Sequence, residues 1–299
     1  MIANETSEGI DVAGSFTDRH HFKVLDFGFQ LETGVEQAAG TVLDVLRRFE
    51  VAADRDRPDL RIVDDHQAWA PYALYLRDEP LCEHTDLGEV LDYLFWYVNR
   101  RAIEATENYL LVHAAAASLN GKGVLLPARM DSGKTTLVAG LTRAGFDYLS
   151  DEAALLDPVT AYLHPYPKAL WMERKALDAV GGMLSWAGPR MGERYQVPPE
   201  DLRKGSVGSP VPVSLVIAPR YVRGVRSRVE EIGRGEAIVL LKSNAFNFSS
   251  FGGDGLDLFK RVTAGARCFR MTVGNLNDAV GLIGGLITGE ADKAGSTRS

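Results

Sequence analysis

The chain has 299 residues, of which 45% are hydrophobic and 24% charged, with 33 Lys and Arg against 40 Asp and Glu. This is the composition of an ordinary globular protein, long enough for one large domain or two average ones. A net charge of −7 argues against nucleic-acid binding by bulk charge, and no apolar run is long enough to cross a bilayer, so neither nucleic acid nor membrane is expected as a partner.

The first fifteen residues, MIANETSEGIDVAGS, are polar and acidic, which does not read as a secretory signal; a cytosolic protein with a loose leader over residues 1 to about 18 is expected. Cys82 and Cys268 lie far apart in no metal-binding spacing and read as reduced structural thiols. From Phe22 to Leu31 the pattern alternates with a period of two and predicts a strand. Val42, Leu43, Val45, Leu46 and Phe49 predict a helix over 35–49. A charged loop from Asp54 to Asp59, closed by Pro58, leads to two predicted strands, Leu60–Val63 and Tyr72–Leu76.

Asp86 to Thr106 is the strongest helix signal in the first third. Asp86 can cap it, with Glu89 three residues on in capping-box spacing. Val90, Leu91, Leu94, Phe95, Tyr97, Val98 and Ile103 make an apolar face wide enough for burial between the N-terminal part and the rest. The boundary is placed near 108: a smaller N-terminal α/β region with its leader over 1–108, a second domain over 109–288, and a polar tail over 289–299.

Tyr109 to Ser118 predicts a strand rich in small alanines, and Asn120-Gly121 a hairpin turn into the apolar run Gly123 to Leu126. The loop Ala128-Arg129-Met130-Asp131-Ser132-Gly133-Lys134-Thr135-Thr136 follows, then a helical pattern with Leu137 and Leu141. Strand, tight loop and helix in this order are the setting of a phosphate-binding P-loop. Gly133 lets the backbone approach a phosphate chain, Lys134 reaches the β and γ phosphates, and the Thr135 hydroxyl is offered to Mg²⁺. Two positions depart from the common pattern. Ala128 stands at the first Gly, and Asp131 where many such loops carry Gly. A carboxylate at 131 repels a triphosphate if it points inward; it can instead point outward or help hold a metal.

A short strand, Tyr148-Leu149, ends in Ser150-Asp151-Glu152. Acidic groups at a strand end beside a phosphate loop point to a magnesium site and a general base. Asp151 is the candidate base for a hydroxyl proton, and Thr135, Asp151 and Glu152 are the candidate metal ligands. Neighbouring strand residues face opposite sides, so both acids aim at the phosphates only if the strand ends between them. The hairpin brings His113 beside the P-loop strand near Asp151, as a partner that orients or polarises it. His164, Tyr166, Pro167 and Lys168 are read as lining the cleft, with Lys168 a second phosphate or substrate contact. Residues 181 to 212, rich in Gly, Pro and charge, read as one long irregular segment. Its Arg190, Arg194, Arg203 and Lys204 are read as solvated, or as a lid that supplies a basic group. Strands are predicted over Val213–Ala218, Arg228–Ile232 and Cys268–Val273. A helix is predicted over Leu256–Thr263 behind a flexible Gly252–Gly255, and a last helix over Leu276–Ile287 capped by Asn275.

The stretch LLVHAAAASLNGKGVLLPARMDSGKTTLVAGLTRAGFDYLSDEAALLD resembles the kinase domain of the HPr kinase/phosphorylase family, and most of all the HPr-kinase-related proteins of bacterial gene clusters, some of them for modified peptides. The family pattern of a His-bearing strand, a hairpin, a P-loop, a helix, an Arg-Gly turn and an acidic pair is met here by His113, Ser132-Gly133-Lys134-Thr135, Arg143-Ala144-Gly145 and Asp151-Glu152. The resemblance spans roughly 109 to 280, and LDYLFWYVNRRAIEAT ahead of it is similar to the related proteins too. It implies a P-loop domain of the phosphoenolpyruvate carboxykinase/HPr kinase type with a mixed sheet, and an ATP- and Mg²⁺-dependent serine kinase. In it Asp151 is the base, His113 its partner, Lys134 the phosphate ligand and Thr135 the metal ligand; a homo-oligomer is also implied. The family's second acid is Asp where this chain has Glu152, and the longer signature tied to the phosphorylase reaction is not visible, so HPr itself is not the expected acceptor.

Two readings follow. The first is a kinase that phosphorylates a hydroxyl, on Ser or Thr of a peptide or protein or on a small molecule. The second is a nucleotide-binding scaffold or sensor without transfer chemistry, motivated by Ala128 and Asp131. A nucleotide hydrolase is a third. No base-reading motif separates ATP from GTP.

Overall fold

The computed structural model describes residues 18–53, 59–129, 132–181, 190–191 and 194–289. The chain falls into two compact units, Met1–Val98 and Asn99–Ser299. The predicted leader, most of the 54–59 loop and nearly all of the polar tail lie outside the described residues.

In the first unit, β1 (Asp18–Val24) and β2 (Phe27–Thr33) form an antiparallel hairpin. One strand was expected across Phe22–Leu31; the chain turns instead at Leu25, which holds φ 53°. Asp26 is the only turn-favouring residue at these two positions, and a Leu in left-handed backbone is uncommon, so the local signal is weak. α1 (Glu36–Leu46) buries Val42, Val45 and Leu46 and carries the chain to β3 (Asp59–Asp64), parallel to β2. β4 (Tyr72–Leu76) and β5 (Glu79–His84) complete a sheet of order β1-β2-β3-β4-β5. β5 was not foreseen: four of its six side chains are exposed, so it carries no apolar alternation. α2 (Leu87–Ala105) begins at Asp86, whose Oδ1 accepts from the Gly88 amide at 2.7 Å, and runs through the boundary at Val98.

The second unit opens with the hairpin of β6 (Leu110–Leu119) and β7 (Lys122–Pro127), turned by Asn120 at φ 52° and Gly121 at φ 74°. Then come α3 (Lys134–Arg143), β8 (Asp147–Ser150), β9 (Ala153–Leu156) and β10 (Tyr162–His164). β11 (Leu170–Glu173), α4 (Arg174–Ala179), β12 (Arg190–Met191), β13 (Arg194–Val197) and α5 (Pro199–Leu202) form a smaller excursion. β14 (Val211–Tyr221), β15 (Arg228–Glu231), α6 (Arg234–Ser243), α7 (Phe248–Gly265), β16 (Arg267–Val273) and α8 (Leu276–Thr288) finish the chain.

Eight strands make one mixed sheet, ordered β10-β9-β6-β7-β14-β16-β15 with β8 on β6. β7, β14 and β16 run parallel, and β10 pairs with β14 as well as β9. Helices cover both faces, and the alternation along β6 shows why. Ala115 and Ala117 join Leu137 and Leu141 of α3 and Ile283 and Ile287 of α8 in one core. Ala114 and Ala116 join Leu241 of α6 and Leu258, Phe259 and Val262 of α7 in the other. All four alanines are fully buried, and their small side chains let both helix layers approach the sheet.

Three expectations change here. The irregular stretch 181–212 contains β13, which pairs with β11, and the short α5; 182–189 and 192–193 lie outside the described residues. Gly252–Gly255 is not a flexible lead-in: it lies inside α7, which kinks at Gly252 (φ 49°, ψ −121°). A β-carbon on Gly255 would meet Leu110 at 3.2 Å, so that glycine marks a close helix–sheet approach. α6 was missed because only Ala237 and Leu241 are buried along it, too few to write a helical stripe.

Candidate active site

β7 delivers the chain into the loop at Ala128, which is buried, followed by the exposed Arg129. Met130 and Asp131 lie outside the described residues. Ser132 Oγ is buried and, among the described residues, has no hydrogen-bond partner. Gly133 sits at φ 86°, ψ 14° as the N-cap of α3, a left-handed conformation that disfavours any side chain, and it offers no side-chain cap. An anion at this helix start would therefore have no capping side chain of residue 133 to displace, and would meet the positive end of the helix dipole. Lys134, buried at the first position of α3, folds back so that Nζ donates to the carbonyl oxygens of Ala128 and Arg129, each at 2.7 Å. Thr135 and Thr136 follow, half-buried, in the same turn.

β8 ends at Ser150, so Asp151 and Glu152 stand in the bend before β9 rather than within a strand. This is why neighbours in sequence can turn to one point. Lys168 Nζ lies 2.9 Å from Asp151 Oδ1 and 3.4 Å from Glu152 Oε2. Asp151, only 4% exposed, also accepts from the Tyr148 hydroxyl at 3.1 Å on the same Oδ1. Its Oδ2 makes no hydrogen bond among the described residues. Glu152 Oε2 accepts from Asn99 Nδ2 at 3.0 Å, and Asn99 Oδ1 accepts from the Tyr166 hydroxyl at 2.8 Å.

Burial pushes the Asp151 carboxyl above the usual range, with Lys168 pulling the other way and Glu152 adding to the rise. Burial weakens the Lys168 ammonium, but Asp151 and Glu152 more than offset it and the net shift is upward. Tyr148 and Tyr166 are held well above their usual range, first by burial and then by the acids, so both stay hydroxyl donors.

His113 lies on β6 opposite Ala153, with its ring centroid 5.5 Å from that of Phe246. Burial, then the charge of Lys134, lower its pKa to about 4 against the pull of Asp151, leaving a neutral imidazole at pH 7. It thus senses both Lys134 and Asp151, but no hydrogen bond joins it to Asp151 among the described residues; Tyr148 and Lys168 hold that carboxylate. His164 turns elsewhere, to the Tyr109 hydroxyl at 3.3 Å and to Asp157 at 3.6 Å. Arg203 is neither solvated nor a lid: it donates to the Thr142 and Phe146 carbonyls and to Asp147, fastening the end of α3 to the start of β8.

Three partners escaped the sequence reading. Tyr148 carries a weak signal, since a Tyr in a buried strand needs a partner for its hydroxyl. Asn99 carries none: it is a polar residue near a polar helix end. Tyr221, at the end of β14, approaches the loop closely enough that a β-carbon on Gly133 would lie 3.6 Å from its own.

Among the described residues no group of three or more His, Cys, Asp or Glu could hold a metal alone. The carboxylates of Asp151 and Glu152 are nevertheless the hard donors that Mg²⁺ prefers, and Lys168 shows that a cation can bridge them; the Thr135 hydroxyl, in the first turn of α3, is a donor of the same kind. Mg²⁺ is commonly held by one or two carboxylates plus the phosphates of its nucleotide, and this donor set fits that habit.

No family model and no curated protein matches the sequence. Among solved structures, the Hpr(Ser) kinase/phosphatase from Coxiella burnetii is similar at 15% identity over 62% of this chain and 97% of that chain, with a TM-score of 0.29. A score that low does not establish a common fold.

Proposed function

We propose that the chain binds a nucleoside triphosphate on the 128–136 loop and transfers its γ-phosphoryl group to a hydroxyl, on Ser or Thr of a peptide or protein. The observation that carries this reading is the buried Asp151 carboxylate, fixed through Oδ1 with Oδ2 unbonded among the described residues, in a unit where Lys134 begins the helix behind Gly133.

In this reading the loop amides and Ser132 Oγ take the phosphate oxygens, and Lys134 leaves its own carbonyls to reach them. Thr135, Asp151 and Glu152 would hold Mg²⁺, which when bound neutralises charge on the phosphates. Asp151 Oδ2 takes the proton of the attacking hydroxyl, and its raised pKa makes it a better base than an exposed carboxylate. Neutral His113 contributes no positive charge of its own.

The test has two parts. Thermal stability is measured with Mg-ATP and Mg-GTP for wild type and Lys134→Ala; ligand at a hundred times its Kd should add about 2.7 kcal/mol to the wild type alone. Transfer of labelled phosphate to candidate acceptors is then followed in wild type and Asp151→Asn. The wild type should label an acceptor and the variant lose at least about a hundredfold; undiminished labelling by Asp151→Asn would sink the base assignment. The contact of Lys134 with its own loop favours a second reading, a nucleotide sensor without transfer: it predicts the thermal shift with no labelled acceptor.

A further inference from the structure

Lys168 is placed with more care than a side chain waiting in a cleft. Its segment is tied to β8 by the Tyr166 amide on the Leu149 carbonyl at 2.7 Å, two residues ahead of Asp151. Pro165 and Pro167 stiffen the backbone on either side of Tyr166. The side chain is 13% exposed, and the ammonium has an acceptor for each of its three hydrogens: Asp151 at 2.9 Å, Glu152 at 3.4 Å and the Ala169 carbonyl at 3.3 Å. Besides Lys168, the side chains that donate to the two acids among the described residues, Tyr148 and Asn99, are neutral, and His113 near Asp151 is neutral as well.

We infer that Lys168 is the built-in counter-cation of the Asp151–Glu152 pair, and that it keeps a divalent ion off these carboxylates until a polyanionic nucleotide arrives with it. The reason is charge. The pair and Lys168 together carry one net negative charge, and a divalent ion added at the same point would stand against a fixed ammonium a few ångströms away. With a triphosphate present, its negative charge offsets both cations and the ion enters as part of the nucleotide. Lys168 is thus a positioning residue that sets the order of entry, rather than a contact for substrate. This rests on the nucleotide reading above for its second half only; the exclusion itself concerns the protein without nucleotide.

The experiment is a titration of the full chain with Mn²⁺, without nucleotide, following the electron paramagnetic resonance signal of the free ion. Wild type and Lys168→Arg, which keeps the charge, should bind weakly. Lys168→Met and Lys168→Gln should bind one Mn²⁺ per chain at least about tenfold more tightly, and Lys168→Met with Asp151→Asn should lose that gain. Wild type that already binds one Mn²⁺ as tightly as the neutral variants would overturn the inference, as would neutral variants, folded by circular dichroism, that gain nothing. Should Lys168→Met and Lys168→Gln not fold, the smaller neutral variants Lys168→Ser and Lys168→Thr take their place under the same criteria, and a wild type that binds Mn²⁺ tightly without nucleotide overturns the exclusion in any case. A failure of the nucleotide reading shows separately, as no thermal shift with Mg-ATP, and leaves this titration interpretable.

Discussion

At the scale of single residues the site is a set of charges kept out of water and answered by neighbours. His113 gives this a measurable sign. Its folded pKa of about 4 lies below its ordinary 6.5, owing to burial and Lys134, with Asp151 opposing. As pH falls from 6.5 the unfolded chain takes up this proton and the folded chain does not, so stability is lost until about pH 4, where both forms are charged. In His113→Gln that part of the acid loss should vanish, and melting temperatures followed from pH 7 to 4 should decline less steeply than in wild type. An unchanged slope would show that His113 is not the neutral buried group described. The loop and the acid pair could be named as candidates from the sequence because the P-loop pattern has a fixed spacing. The groups that hold them could not: Asn99 reaches Glu152 across 53 positions and Tyr166 reaches Asn99 across 67, and no local pattern records such contacts.

At the scale of elements, two glycines make opposite predictions. A β-carbon at Gly274, between β16 and α8, would lie 1.7 Å from the Val225 carbonyl oxygen, a backbone atom that has no rotamer to yield. Gly274→Ala should therefore cost about 3 kcal/mol or more. Gly284, inside α8, has nothing within 4 Å of the same position. Gly284→Ala should stabilise by about 0.5–1 kcal/mol, since alanine loses less entropy in a helix. Denaturant midpoints for both variants check the pair, and similar destabilisation by both would contradict the packing described. The elements read well wherever periodicity or a turn signal was strong: the Asn120-Gly121 hairpin, α2 behind Asp86, and α8 behind Asn275, whose Oδ1 accepts from the Asp278 amide at 3.2 Å. They failed where the surface does not alternate, in β5 and α6, and where the left-handed turn position falls on a Leu, Leu25, with only Asp26 to signal it.

At the scale of the molecule, two compact units predict that calorimetric unfolding resolves into two transitions rather than one. Under the proposed function Mg-ATP should move only the transition of Asn99–Ser299, because a ligand stabilises only what it binds. A single transition that shifts as a whole would mean that the units unfold as one, and labelled fragments from limited proteolysis would identify which unit opens first.

The double pairing of β10, on β9 and on β14, has a consequence for how copies of this chain can meet. A sheet flank ordinarily shows a row of unpaired amides and carbonyls that a neighbouring molecule can extend into a continuous ladder. Here that flank is spent inside the molecule. The strand at the other end of the path, β15, is four residues long and exposes Arg228, Glu230 and Glu231, whose charges oppose strand addition. Strand addition along these two flanks is thereby disfavoured as a route to fibres.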